Sequence, residues 1–200
     1  NSYSYNHLKN EVASPDSYYA SKVISGEELG AGGFSSPADI VTDENDFVYV
    51  LDSENSRVVV LDTALHFSRS IDQFVYGNET LALLKPSGLY VKNGRMYISD
   101  TENGRVLIGD CNGHVEKILT RPEGDIFPEN ITYRPARLVV DQRENVYVLC
   151  NGMYYGAVMY NKDGEFEGFY GSNKVEMTFS RLADYAWKQF LSLDAKRKMQ

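Results

Sequence analysis

Along the middle of the chain, short apolar runs alternate with polar turns at strand rather than helical periodicity. Ser36-Pro37-Ala38-Asp39-Ile40-Val41, Lys85-Pro86-Ser87-Gly88-Leu89-Tyr90-Val91 and Arg134-Pro135-Ala136-Arg137-Leu138-Val139-Val140 each set a proline before an apolar run. Pro37, Pro86 and Pro135 stand 49 residues apart. Each run meets a turn (Asp43-Glu44-Asn45-Asp46, Lys92-Asn93-Gly94-Arg95, Asp141-Gln142-Arg143-Glu144-Asn145), and a second β-type run follows at 47–51, 96–99 and 146–149. In the first two copies a third strand (58–61, 106–108) and a fourth (67–71, 114–119) come next. The pattern predicts units of short antiparallel strands, and it excludes a helical solenoid.

The flanks break this rhythm. Residues 1–20 are rich in Tyr, Ser and Asn and read as an extended arm, with a strand expected at 19–24. The repeat region then runs over 21–172. From 173 to 200 the period turns helical: Leu182, Tyr185, Ala186 and Phe190 recur at helix spacing beside Trp187, with Thr178 or Ser180 as N-cap. A basic helix is expected from about Asp194.

A polar signature links the second and third strands. Leu51-Asp52-Ser53-Glu54-Asn55-Ser56-Arg57-Val58 lies beside Ser99-Asp100-Thr101-Glu102-Asn103-Gly104-Arg105-Val106. These residues, with the prolines and the strand succession, resemble the NHL-repeat family of β-propellers, over about 34–172. The likeness is strong in copies one and two. It is partial in copy three, where Cys150-Asn151-Gly152-Met153-Tyr154-Tyr155-Gly156-Ala157 stands in place of the signature. The resemblance implies an all-β fold of about three four-stranded blades, part of a six-bladed ring, with a C-terminal α-helical segment appended. A ring of six such units needs roughly 294 residues. The expectation is therefore that this chain is part of a longer propeller, or that another protein chain closes it, because open blades expose strand edges and apolar faces.

Composition narrows the function. Lys and Arg number 20 against 28 Asp and Glu, a net charge of −8, so a phosphate-tracking surface and nucleic-acid binding are disfavoured. No apolar run approaches the ~20 residues of a membrane span, so no membrane insertion is expected. The chain opens at Asn1 without a methionine, which reads as a removed targeting segment or a cut from something longer. Cys111 and Cys150 are too few for a disulfide framework; a single bridge is possible, and two independent thiols are expected.

Candidate chemistry is sparse, and no metal or cofactor is expected. Asp52, Asn55, Arg57, Asp100, Asn103 and Arg105 read as a structural staple, since short Asp and Asn side chains bond nearby backbone and a reused turn suits architecture better than catalysis. His66 and His114 are 48 residues apart at equivalent turns, too far to share a metal. Gly30-Ala31-Gly32-Gly33 leads into a strand rather than a helix, so it reads as a flexible loop and not a phosphate cradle. No Gly-x-Ser-x-Gly elbow occurs.

The connections 72–85 and 121–134 share a face with the signature turns, where loops on a rigid scaffold carry binding residues. Copy three departs from the signature on that face, gathering Asn151, Tyr154 and Tyr155 near Tyr133, Arg134 and Arg137. Tyr and Arg combine contact area with hydrogen bonding, so these six are the candidate ligand-binding residues for a carbohydrate or peptide. The resemblance looks nearest to bacterial surface-associated members, which implies an exported, cell-surface binding module. The competing class is a metal-dependent lactonase- or lyase-type propeller enzyme, but the first strands offer only Asp39 and Arg137 toward a central channel, so the balance leans away from catalysis.

Overall fold

The computed structural model describes residues 2–14, 22–123, 127 and 131–171, in two compact units, 1–33 and 34–200. The division falls at Gly33, beyond the arm boundary drawn from composition.

In the first unit, β1 (Ser2–Tyr5) and β2 (Glu11–Ser14) form an antiparallel hairpin where an extended arm was expected. Its turn is organised by Asn6, whose Oδ1 accepts the N–H groups of Leu8 and Asn10, both at 3.0 Å. One helical turn, α1 (Gly26–Leu29), precedes the glycine-rich loop. Ser25 and Glu28 cap it reciprocally, and Gly30 ends it in the left-handed region at φ 74°. That helical turn was not foreseen, although Ser-x-x-Glu followed by Gly is its signature.

The second unit is built around three blades, each of four antiparallel strands in chain order. Blade 1 comprises β3 (Pro37–Thr42), β4 (Val48–Asp52), β5 (Arg57–Leu61) and β6 (Phe67–Ile71), hydrogen-bonded in chain order. A hairpin follows, β7 (Phe74–Tyr76) and β8 (Glu79–Leu81). Blade 2 is β9 (Gly88–Lys92), β10 (Arg95–Asp100), β11 (Arg105–Asp110) and β12 (His114–Leu119). Blade 3 is β13 (Pro135–Val140), β14 (Val146–Cys150), β15 (Ala157–Tyr160) and β16 (Phe166–Tyr170). The first and second strands of each blade, and the third and fourth of blades 1 and 2, fall where proline spacing and alternation put them, while β15 and β16 complete blade 3 at positions the sequence pattern did not mark. The helical segment read for 173–200 lies outside the described residues, as do residues 19–21 of the strand expected at 19–24, and its described part, 22–24, is not strand.

The β7–β8 hairpin corrects the reading of 72–85 as a plain connection. β7 pairs in parallel with β12 through His114↔Val75 and Val115↔Tyr76, so blade 2 becomes a six-stranded sheet. The signal was present: Phe74-Val75-Tyr76 and Glu79-Thr80-Leu81 flank Gly77-Asn78, and Gly77 takes φ 60° at the first turn position. The hairpin covers β12 as an outer edge.

Apolar faces pack between successive blades. Tyr49, Leu51, Val58, Val60 and Ile71 of blade 1 meet Leu89, Val91, Ile98 and Leu107 of blade 2. The other face of blade 2, with Tyr97, Val106, Ile108 and Leu119, meets Leu138, Val140, Val148 and Val158 of blade 3. Blade 2 is thus buried on both faces, which is why β10 and β11 read as nearly continuous apolar runs.

At the innermost strands the contact is closer. The Asp39 carboxylate accepts the Leu89 N–H at 2.9 Å, and the Arg137 guanidinium donates to the Ala38 carbonyl at 3.1 Å. Gly88 lies against blade 3 so tightly that a Cβ there would collide with the Ala136 carbonyl oxygen and crowd Arg137 Cα. Asp39, Gly88 and Arg137 occupy equivalent positions, so one register point of each first strand joins all three blades.

Candidate interaction site

Turns between second and third strands hold the signature residues, and each turn is tied to the segment preceding its own blade. The Asp52 side chain is wholly buried: Oδ1 accepts the Ser35 N–H at 2.7 Å, while Oδ2 takes Asn55 Nδ2 at 2.7 Å and Arg57 Nε at 2.8 Å. Asp100 repeats this with Leu84 N–H at 2.7 Å, Asn103 Nδ2 at 2.8 Å and Arg105 Nε at 2.8 Å. Two oxygens with three donors satisfy a carboxylate that burial would otherwise penalise. The geometry is that of a staple, with both oxygens turned inward and used.

Blade 3 solves the same problem without charge. Cys150 pairs with Pro135 as Asp52 pairs with Pro37, so its thiol takes the place of the carboxylate. Burial pushes that thiol up to about 12, partly offset by the hydrogen bond from the Arg134 N–H. Once the acid is gone an Asn and an Arg have nothing to pair with, and the turn carries Met153 and Tyr155 instead. Cys111, on the β11–β12 turn, is raised above the ordinary thiol range by burial, although Tyr49 hydrogen-bonds it. Both cysteines are free.

The freed turn leaves its backbone anchored and its aromatics outward. Asn151 N–H donates to the Arg134 carbonyl at 2.8 Å, which joins the two loops, and Arg134 forms an ion pair with Glu102 of blade 2. Tyr154 is almost fully exposed. Tyr155 is half-exposed and its ring rests 5.9 Å from Phe169. A ladder of rings continues inward, Phe169 to Phe127 at 5.9 Å and Phe127 to Tyr133 at 6.0 Å, with the Arg121 guanidinium 4.8 Å over Phe127. Tyr133 is therefore the buried end of the ladder, and burial raises its phenol above the ordinary range. It supports the surface rather than contributing contact area. Arg137 stands apart at the innermost strand, committed to Ala38. Of the six candidate residues, Arg134, Asn151, Tyr154 and Tyr155 share one loop region, and Phe169 and Phe127 are the supports that sequence reading missed.

His66 and His114 are exposed, at the start of the fourth strands of blades 1 and 2. His66 and His114 each lie beside the aspartate of their own turn, Asp62 at 3.4 Å and Asp110 at 3.1 Å. Among the described residues no three His, Cys, Asp or Glu side chains gather as a metal site requires. No described helix is long and apolar enough to cross a membrane.

Four-stranded antiparallel sheets, packed face on face in chain order, make this a protein of the β-propeller class. Residues 34–61, from the entrance of blade 1 through β5, match the NHL repeat model, which supports an NHL-repeat propeller fold. No curated protein matches it in sequence. Hydrazine synthase from Kuenenia stuttgartiensis is similar in structure, with a TM-score of 0.52 at 11% identity over 78% of this chain and 40% of that one. A protein of unknown function from Bacteroides caccae gives 0.46 at 13% identity over 64% and 47%. A streptogramin B lyase gives 0.46 at 9% identity over 82% and 46%. This chain thus spans less than half the length of each of these structures, and at such identities the hydrazine synthase match speaks for the fold alone.

Proposed function

We propose that this chain is a non-catalytic interaction module, exported and held at a cell surface, whose blade 3 loops bind a carbohydrate or peptide through Arg134, Asn151, Tyr154 and Tyr155. The observation that carries the reading is the pairing of an almost fully exposed Tyr154 with an anchored backbone, Asn151 N–H on the Arg134 carbonyl. A large exposed ring on a stapled loop loses little conformational freedom when it meets a ligand. Tyr155, stacked on Phe169, adds a second pre-positioned ring. The signature turns of blades 1 and 2 use their polar groups internally, so blade 3 alone of these three turns has aromatic side chains to spare. Surface display rests on the family resemblance and is read by protease shaving of intact cells.

Glycan and peptide arrays probed with the 200-residue chain test the binding reading. A saturable ligand is expected, and Tyr154→Ala with Tyr155→Ala together should weaken it at least tenfold, about 1.4 kcal/mol. Silence on both arrays, or a ligand whose affinity the double substitution leaves unchanged, would sink the proposal.

A further inference from the structure

The connections between blades leave the outermost strand of one blade and cross the face that carries the second-to-third-strand turns. That face holds them through their backbone. The Asp100 carboxylate takes the Leu84 N–H at 2.7 Å, and Asn103 and Arg105 donate to the Ala82 carbonyl at 2.9 and 3.0 Å. Asn151 N–H donates to the Arg134 carbonyl in the same way. β16 runs antiparallel to β15 with Tyr170 opposite Ala157, at the end of the strands where the 151–156 turn sits. The chain beyond Gly171 therefore sets out from this face, beside Tyr154 and Tyr155. Tyr155 already rests on Phe169 of the strand it leaves.

Residues 172–200 lie outside the described residues, and their chemistry is read from the sequence. At helical spacing Leu182, Tyr185, Ala186, Phe190 and Leu193 share one face. A helix of 180–193 would be about 21 Å long, and one so short is marginal alone in water, so its stripe needs a surface. The linker 172–179 reaches at most roughly 26 Å, which keeps that surface close to the end of β16. Charge points the same way. Residues 172–200 carry six Lys and Arg against three Asp and Glu, whereas 1–171 carry 14 against 25. On the face where the chain sets out, Tyr154 is 95% exposed and Tyr155 48%, and Glu54 and Glu102 stand exposed on the signature turns.

We infer that Tyr154 and Tyr155 are the seat of the chain's own helix 180–193, which lies across the 151–156 turn as a displaceable lid. Tyr185 and Phe190 meet the two exposed tyrosines edge to face, and Leu182 and Ala186 fill the space between rings. The short tether holds the helix at an effective concentration on the order of millimolar, so weak intrinsic contacts keep it seated. The same weakness lets it leave. The lid deepens the proposed binding site and rests on that reading for its purpose: a ligand reaches the rings only in the open fraction, and its apparent affinity falls by that fraction. The seat itself is read without any ligand.

The test uses the whole 200-residue chain with a thiol at Asn151→Cys, a position whose contact with Arg134 runs through the backbone. Its maleimide labelling is followed with the native cysteines as baseline. Leu182→Glu with Phe190→Glu, which breaks the stripe, should speed labelling at 151 at least tenfold, and Tyr154→Ala with Tyr155→Ala, which removes the seat, should do the same. A thiol at Val139→Cys, 55% exposed at native Val139 and near the other end of β13, should label equally with the stripe intact or broken. Equal rates at 151 with and without the stripe overturn the inference. So does stripe-dependent protection at 139 instead, because the helix would then lie on the sheet face, and so does protection that fades on dilution, because the helix would then belong to a second chain. A ligand found on the arrays should bind the broken-stripe chain at least threefold more tightly. Silent arrays sink the ligand reading and leave the labelling result standing, whereas equal labelling sinks the lid and leaves the ligand reading.

Discussion

Truncating Asp100 to alanine tests whether the repeat signature is architecture. Its carboxylate accepts three donors, Leu84 N–H at 2.7 Å and Asn103 and Arg105 at 2.8 Å each, from a side chain with no exposure. Asp100→Ala leaves the Leu84 N–H without its acceptor. The Arg105 guanidinium keeps only the Ala82 carbonyl, at 3.0 Å. Breaking a buried pair from one side costs about 3–5 kcal/mol, against a total stability of about 5–15 kcal/mol. Arg105 is 19% exposed, so water recovers part of its loss and the lower end, about 3 kcal/mol, is expected. With a urea dependence of about 2 kcal/mol per molar, the midpoint should fall by about 1.5 M, read by far-ultraviolet circular dichroism. Arg105→Met and the Asp100→Ala/Arg105→Met double variant complete a cycle, and the double variant should cost at least ~1 kcal/mol less than the two singles together. A fall of less than about 0.5 M, or strict additivity, would refute the staple.

Three further outcomes are expected. Gly88→Ala forces a methyl group against the Ala136 carbonyl and Arg137 Cα, both backbone, so it should cost about 1–3 kcal/mol, seen as a lower urea midpoint, whereas the same change at Gly94, which has open space around it, costs only its φ 70° strain. At pH 8, with its thiol pushed up to about 12 by burial, Cys150 should react with Ellman's reagent far more slowly than free cysteine, and unfolding in guanidinium should release two thiols; prompt native modification of Cys150 contradicts this. The Asp62 carboxyl is held below its usual range by the N–H of His66, and Asp110, which partial burial alone would raise, is lowered on balance by the N–H groups of His114 and Asn112. Depressed folded values mean stability that is present above the unfolded carboxylate range near 4 and lost as pH falls through the folded values, so the urea midpoint should be steady from pH 7 to 5 and decline below about 4.

The candidate site was partly legible. Asn151, Tyr154 and Tyr155 stood out because copy three breaks the signature, and a broken repeat can be read from residues alone. Phe127 and Phe169 could not be found that way, because their contacts with each other and with Tyr133 and Tyr155 join rings far apart in the sequence. Tyr133 was misplaced as a contact residue for the same reason: one sequence neighbourhood contains both a buried ring and an exposed guanidinium, and only packing separates them. The β7–β8 hairpin had a local turn signal, but its parallel seat on β12 is a long-range pairing that no window contains.

What the residues determined by themselves is the local grammar of this protein. Proline before each first strand, period-two alternation and the Asp-x-x-Asn-x-Arg turn specify strands, their order and their hairpin partners, since these depend on neighbours within a blade. Tertiary structure alone decided which apolar faces are spent. Val41, Tyr90 and Val139 occupy one position in three blades, and nothing local distinguishes them. Two are covered and the third is open, because burial depends on whether another sheet is present to remove water from that face.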